Sequence, residues 1–239
     1  MLDCSASSLT VAVPVMGATS DLVHKEWERA VALGADLVEW RLDYFDDRLD
    51  SRAVASLGRE LRDTYGIPVL ATVRTSAEGG LFPSEQTEDY SRIVESAAEW
   101  ADAVDVEIAV PGASALLSSL APHTVTVASF HSFDARPSKE RLQAIMQEMA
   151  ACGASVTKVA WMVETPEELA VIREVQQWAA ENLSIPAVVI AMGEVGRASR
   201  LGEAALLSAF TFARGVAASA PGQPTVEEIR ASVEMLRAD

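Results

Sequence analysis

The amino-acid sequence predicts a (β/α)8 barrel, and three observations carry that expectation. Eight short β-rich runs recur along 239 residues. Segments with helical periodicity and charged faces separate most of them. The resulting unit is about 30 residues long, the length of a strand-plus-crossover-helix repeat. The runs are apolar throughout rather than alternating, which marks strands buried on both faces of a parallel sheet. An open doubly wound sheet is the alternative, but no GxGxxG or GxxxxGK[ST] follows an early strand. No Pro/Gly/Ser-rich linker divides the chain, so one domain over residues 1–239 is expected.

In chain order the strand runs are Leu9–Met16, Asp36–Asp43, Ile67–Arg74, Ala103–Ile108, Thr124–His131, Ser155–Met162, Ile185–Gly193 and Leu206–Ala213. The last is the least defined, because Ala204–Ala218 reads equally well as helix. Helical segments are expected over Asp21–Leu33, Leu49–Tyr65, Thr87–Trp100, Ser138–Ala151 and Pro166–Ala180, with Thr225–Leu236 closing the barrel. Thr165-Pro166-Glu167-Glu168 supplies an N-cap, a first-turn proline and acids at the positive helix end. Gly66-Ile67-Pro68 and Ser184-Ile185-Pro186 mark returns into strands.

Lys plus Arg total 19 and Asp plus Glu total 35, a formal net charge of −16. So acidic a surface repels nucleic acid and anionic membranes, so neither partner is expected. The two cysteines, Cys4 and Cys152, lack metal-site or redox spacing and read as reduced thiols. The segment MLDCSASSLT has no basic region before an apolar stretch, and Ile185–Met192 is too short to span a bilayer. A cytoplasmic protein is expected.

Barrel enzymes carry their chemistry at the C-terminal ends of the strands. Polar residues concentrate there: Glu39, Arg41 and Asp43 on the second run, Arg74 and then Glu78 on the third, Asp105 and Glu107 on the fourth, His131 on the fifth. Lys158 lies inside the sixth, in Ser-Val-Thr-Lys-Val-Ala-Trp-Met, whereas Lys25 and Lys139 sit in charged helical surroundings. A lysine in such a strand loses solvation, which disfavours its ammonium form, and a neutral amine can form an imine with a ketone. The alternative is a lysine ion-paired across the barrel, for instance with Glu107. Of the three histidines only His131 falls at the catalytic end, one strand from Lys158, where proton transfer near neutral pH suits imine chemistry. After the seventh run, Arg200 offers a fork for a carboxylate, and Ser219 and Gln223 in the following loop could donate to a ligand. Either stretch could equally be an ordinary connection. With Glu39 and Glu78 facing Arg41, Arg74, Lys158 and Arg200, a locally positive cleft is expected.

Glu39-Trp40-Arg41-Leu42-Asp43, Arg74 with Glu78-Gly79-Gly80, Ser129-Phe130-His131, Lys158-Val159-Ala160, Met192-Gly193…Gly196…Ser199-Arg200 and Ser219-Ala220-Pro221-Gly222-Gln223 occur in this order. Together they resemble the type I 3-dehydroquinate dehydratase family over nearly the whole chain. The resemblance implies a homodimeric (β/α)8 lyase of the shikimate pathway that takes 3-dehydroquinate to 3-dehydroshikimate without metal or cofactor. It gives Lys158 the imine, His131 the general acid–base work and Glu78 the orientation of His131. Arg200 would bind the substrate carboxylate, Glu39, Arg41 and Arg74 the ring hydroxyls, and Ser219 and Gln223 would belong to a closing loop. Two rivals remain in view: another imine-forming barrel such as a class I aldolase, and a catalytically silent barrel. The first run begins too early for the hairpin that bacterial members place under the barrel. Ser132 stands where an acid often follows the histidine, and Leu207 where a glycine often precedes the serine.

Overall fold

A computed structural model describes residues 9–134 and 136–238, with side chains described through Leu236. The readings made on Cys4, on a leader segment and on a barrel-bottom hairpin lie outside these residues. The strands are β1 (Val11–Val15), β2 (Leu37–Arg41), β3 (Val69–Thr72), β4 (Ala103–Glu107), β5 (Val125–Ser132), β6 (Val156–Met162), β7 (Ala187–Met192) and β8 (Thr211–Phe212). The helices are α1 (Ser20–Ala32), α2 (Ser51–Tyr65), α3 (Thr87–Ala98), α4 (Ala113–Leu120), α5 (Lys139–Ala151), α6 (Pro166–Asn182), α7 (Gly202–Leu206) and α8 (Val226–Ala238). The sheet runs β7-β6-β5-β4-β3-β2-β1-β8 with every pairing parallel. One backbone bond, from Ala209 N–H to Ala187 C=O at 2.8 Å, brings the segment before β8 against β7 and nearly closes the barrel.

The expected elements form, with two differences. The Pro111-Gly112 turn is followed by α4, eight residues that bury Ala113, Leu116, Leu117 and Leu120 and face serines outward, a stretch too short and too free of charge to stand out as a helix in the sequence. The uncertain eighth run divides: Gly202–Leu206 is helical, and the strand shrinks to two residues paired with Val11 and Ala12. Caps fix the helix starts. Thr165 and Glu168 form a reciprocal capping box on α6, and Thr225 and Glu228 exchange bonds in the same way at the start of α8. Gly66 closes α2 in the left-handed region that favours glycine, at φ 62°.

Strand periodicity then places the site. Odd and even residues point to opposite faces, so one set packs under the helices and the other fills the barrel. Val38, Trp40, Val104, Val106, Val159 and Trp161 belong to the outer core. Inward positions change character along each strand: Leu37 gives way to Glu39 and Arg41, Ala103 to Asp105 and Glu107, Val127 to Ser129 and His131, Val156 to Lys158. The lower barrel is an apolar plug that includes Phe210, whose ring meets Phe212 edge-on at 5.5 Å. Polar groups are left only at the upper end, where catalytic groups of this architecture reside.

Candidate active site

A cavity opens at that upper end, and all nine residues singled out in the sequence line it: Glu39, Arg41, Arg74, Glu78, His131, Lys158, Arg200, Ser219 and Gln223. Lys158 lies on the β6 register opposite Ser129 of β5. Its Nζ stands 3.3 Å from Asp105 Oδ2, 3.8 Å from Glu39 Oε1 and 4.7 Å from the centre of the Phe212 ring. The carboxylate partner expected for a paired lysine was Glu107, and the structure corrects this. Glu107 turns away, accepting bonds from Arg74 Nη1 at 2.9 Å, Thr75 N–H at 2.7 Å and Thr75 Oγ1 at 2.6 Å. Asp105 therefore carries the role that sequence reasoning left unassigned. Burial alone would raise its carboxyl, but Arg74, Lys158 and the Ser129 hydroxyl outweigh burial and hold it below the usual range.

Arg74 lines the cavity but is hemmed in by acids. It reaches Asp105 at 2.8 Å, Glu107 at 2.9 Å, Ser129 at 3.0 Å and Glu78 at 3.4 Å, with only 4% of its surface exposed. Arg41 gives Nε and Nη2 to Asp43 at 2.8 and 2.7 Å, a bidentate pair. The charged residues lining the cavity are the six of the sequence-based balance. Behind them Asp43 pairs with Arg41, Asp105 and Glu107 with Arg74, and Asp105 with Lys158, so three of the four cations meet buried acids. Sequence reasoning omitted these three acids from the balance because which side chains share a strand-end cluster depends on barrel register.

Arg200 is the exception. It is 1% exposed, donates Nη1 to Ala191 C=O at 2.7 Å and to Gly222 C=O at 3.5 Å, and its Nε has no partner among the described residues. Among the described residues no carboxylate stands near enough to offset burial, which pushes the guanidinium down to about 10. A buried guanidinium without a carboxylate partner among the described residues, lining a cavity, has the chemistry to take up an anionic ligand. The loop above it is braced by its own hydrogen bonds and by one to the residue just after β7. Gln223 donates to Ser219 Oγ at 3.0 Å and accepts from Ser219 N–H at 2.8 Å, while Gly193 N–H bonds Pro221 C=O. Gly222 has φ 75° and lies so close to Gly193 C=O that a Cβ would fall 2.0 Å from the oxygen.

His131 meets Glu78 twice: its backbone N–H reaches Oε2 at 3.0 Å and its Nδ1 lies 2.8 Å from the same oxygen. An Nδ1–H donated to Glu78 leaves the Nε2 lone pair as the basic site. Burial, then Arg74, Lys158 and Arg41, holds the imidazole well below the ordinary histidine range. Burial pushes the Glu78 carboxyl up to about 8, with Glu107 and Asp105 adding to it and Arg74 opposing. The ring is thus unprotonated at neutral pH, and the proton taken up as pH falls through about 8 goes to Glu78. A protonated Glu78 no longer holds Nδ1–H as a carboxylate and so no longer fixes the tautomer that leaves Nε2 basic, and kcat/KM is expected to fall on the acid side of this value. Glu78→Gln has no proton to take up, so its acid limb should move to lower pH while its plateau rate drops. A pH–rate profile unchanged by the substitution would contradict the pairing.

A strand-end lysine and histidine with an unpaired arginine define a barrel enzyme for imine chemistry on a small anionic ketone. The chain belongs to the type I 3-dehydroquinase family, whose model matches residues 11–239. It is 35% identical over 234 residues to the 3-dehydroquinate dehydratase of Shouchella clausii, covering 95% of this chain and 91% of that protein. The crystal structure of the Geobacillus kaustophilus 3-dehydroquinate dehydratase superposes with a TM-score of 0.88 at 33% identity, over 97% of this chain and 92% of that one. The type I enzyme of Clostridium difficile, solved with covalently modified comenic acid, gives 0.85 at 25% identity, over 97% and 93%. Among the described residues, no helix is long and apolar enough to cross a membrane.

Proposed function

We propose that this chain eliminates water from 3-dehydroquinate, giving 3-dehydroshikimate for aromatic biosynthesis, with the nine cavity residues in the following roles. Arg200 binds the substrate carboxylate, and its unpaired buried guanidinium is the observation that carries the reading. Lys158, as the free amine, attacks the C3 ketone; the carbinolamine loses water and becomes an iminium. That cation withdraws electrons from the C2–H bond, and His131 takes the C2 proton through Nε2. The pair left at C2 expels the C1 hydroxyl, which leaves as water with the proton His131 has just acquired. Hydrolysis of the conjugated iminium releases the enone and restores the lysine.

Glu78 fixes the ring and tautomer of His131, as a triad acid does. Glu39, held by the Thr72 hydroxyl at 3.1 Å, and Arg41, held by Asp43, contact ring hydroxyls. The acids around Arg74 make it chiefly the counter-ion that lets three carboxylates coexist, with a hydroxyl contact as a secondary role. Ser219 and Gln223 keep the loop shut over the substrate. One catalytic domain over residues 1–239, a homodimer and a cytoplasmic location complete the proposal.

The direct test adds 3-dehydroquinate and follows the ultraviolet absorbance of the conjugated product; folded protein that produces no rise would refute the activity. For Arg200→Met, a lost charged hydrogen bond predicts a rise in KM of about 10- to 100-fold. Comparing carboxylate-bearing with neutral competitive inhibitors checks the assignment: only the former should weaken.

A further inference from the structure

The barrel has an open seam, and what fills it bears on Arg200. Alternate residues of β7 bond β6, as Met192 C=O does with Val163 N–H, so the polar groups of Ala187, Val189 and Ala191 face β8. Among the described residues the two-residue β8 is paired with β1 alone, and Ala187 C=O is met by Ala209 N–H. Above that point side chains replace the missing strand. Ser199 Oγ accepts from Ala191 N–H at 2.9 Å, Arg200 Nη1 donates to Ala191 C=O, and Gln176 Nε2 donates to Val189 C=O at 3.0 Å.

Gln176 is unusual for its place. It sits on α6, outside the barrel, yet it is 2% exposed and its amide also lies 3.4 Å from Ser199 C=O and 3.5 Å from Ala204 C=O. One donor group thus gathers carbonyls from β7, from the 3-10 turn Val195–Arg200 that ends in the arginine, and from α7. Its Oε1 is buried without a partner among the described residues, so the amide is held for what its nitrogen does. We infer that Gln176 is a positioning residue that holds the Val195–Arg200 turn in the open β7–β8 seam and so fixes the carboxylate-binding guanidinium. It touches no substrate. It sets how well the anion fits Arg200 and leaves Lys158 and His131 untouched, so ground state and transition state are affected alike. The inference rests on Arg200 as the carboxylate receptor.

Gln176→Met keeps the length of the side chain and removes the donor. Misplacing one charged contact that holds substrate and transition state equally should raise KM about tenfold, with kcat within about twofold of the parent. The inhibition constant of a carboxylate-bearing competitive inhibitor should rise by the same factor, and that of its neutral amide analogue should not move. Unchanged KM in folded protein, equal weakening of both inhibitors, or a loss confined to kcat would each overturn the inference. Ser199→Ala, which cuts the neighbouring tie from within the turn, is the second variant if Gln176→Met does not fold. It should give the same KM-only change, and an unchanged KM there would overturn the inference as well. Arg200→Met run in parallel separates the two levels. If it fails to distinguish the inhibitors, the receptor reading falls; if it distinguishes them and the seam variants do not, only the role of Gln176 falls.

Discussion

Lys158→Met is expected to reduce turnover of 3-dehydroquinate by about 10⁴-fold or more, a larger loss than removing a proton-transfer group, because the covalent route itself disappears. Methionine keeps an unbranched chain over the Phe212 ring, so packing is largely preserved. The electrostatic consequence is contained too. Asp105 remains bonded to Arg74 at 2.8 Å and to Ser129 at 2.6 Å, and Glu39 to Thr72. The variant should therefore fold and still bind substrate through Arg200. Inactivity with retained binding of a carboxylate inhibitor is the expected pair of results. Measurable turnover near the parent rate would remove the lysine from the mechanism.

His131→Ala is expected to lose about 10²- to 10⁴-fold in turnover, the range for a positioned acid–base group, while some imine still forms. The separation follows from the geometry. His131 and Lys158 sit on adjacent strands, and the contacts that place the lysine come from Asp105, Glu39 and Phe212, none of which touches the imidazole. Stopped at the iminium, the variant should accumulate a substrate adduct that reduction traps more fully than in the parent. Unchanged turnover would exclude His131 as the base, and loss of both turnover and adduct would assign it to imine formation alone.

The barrel and its upper rim were legible because strand physics is simple. Apolar runs of the right length, separated by amphipathic helices, leave few architectures, and a charged residue at every second position of Glu39-Trp40-Arg41 can only face the barrel interior. Helix α4 was not legible, since its polar face is made of serines, which are modest helix formers, and its apolar stripe of Ala113, Leu116, Leu117 and Leu120 spans only two turns. The eighth strand was ambiguous for a physical reason. Its place in the sheet is largely taken by side chains of Gln176, Ser199 and Arg200, which no strand pattern announces. Residue types at the site were readable, but their partners were not. That Asp105 rather than Glu107 meets Lys158, and that Arg74 is surrounded by acids, follow from register across the four strands β3 to β6.

The central claim is that Lys158 forms a covalent imine with the substrate, and the chain suits a direct test because it contains only three lysines, Lys25, Lys139 and Lys158. The measurement is borohydride reduction in the presence of 3-dehydroquinate, followed by intact mass and peptide mapping. The expected result is one stable adduct per chain, located on the peptide that carries Lys158 and absent when substrate is omitted. An adduct on Lys25 or Lys139, or active enzyme that yields none, would contradict it.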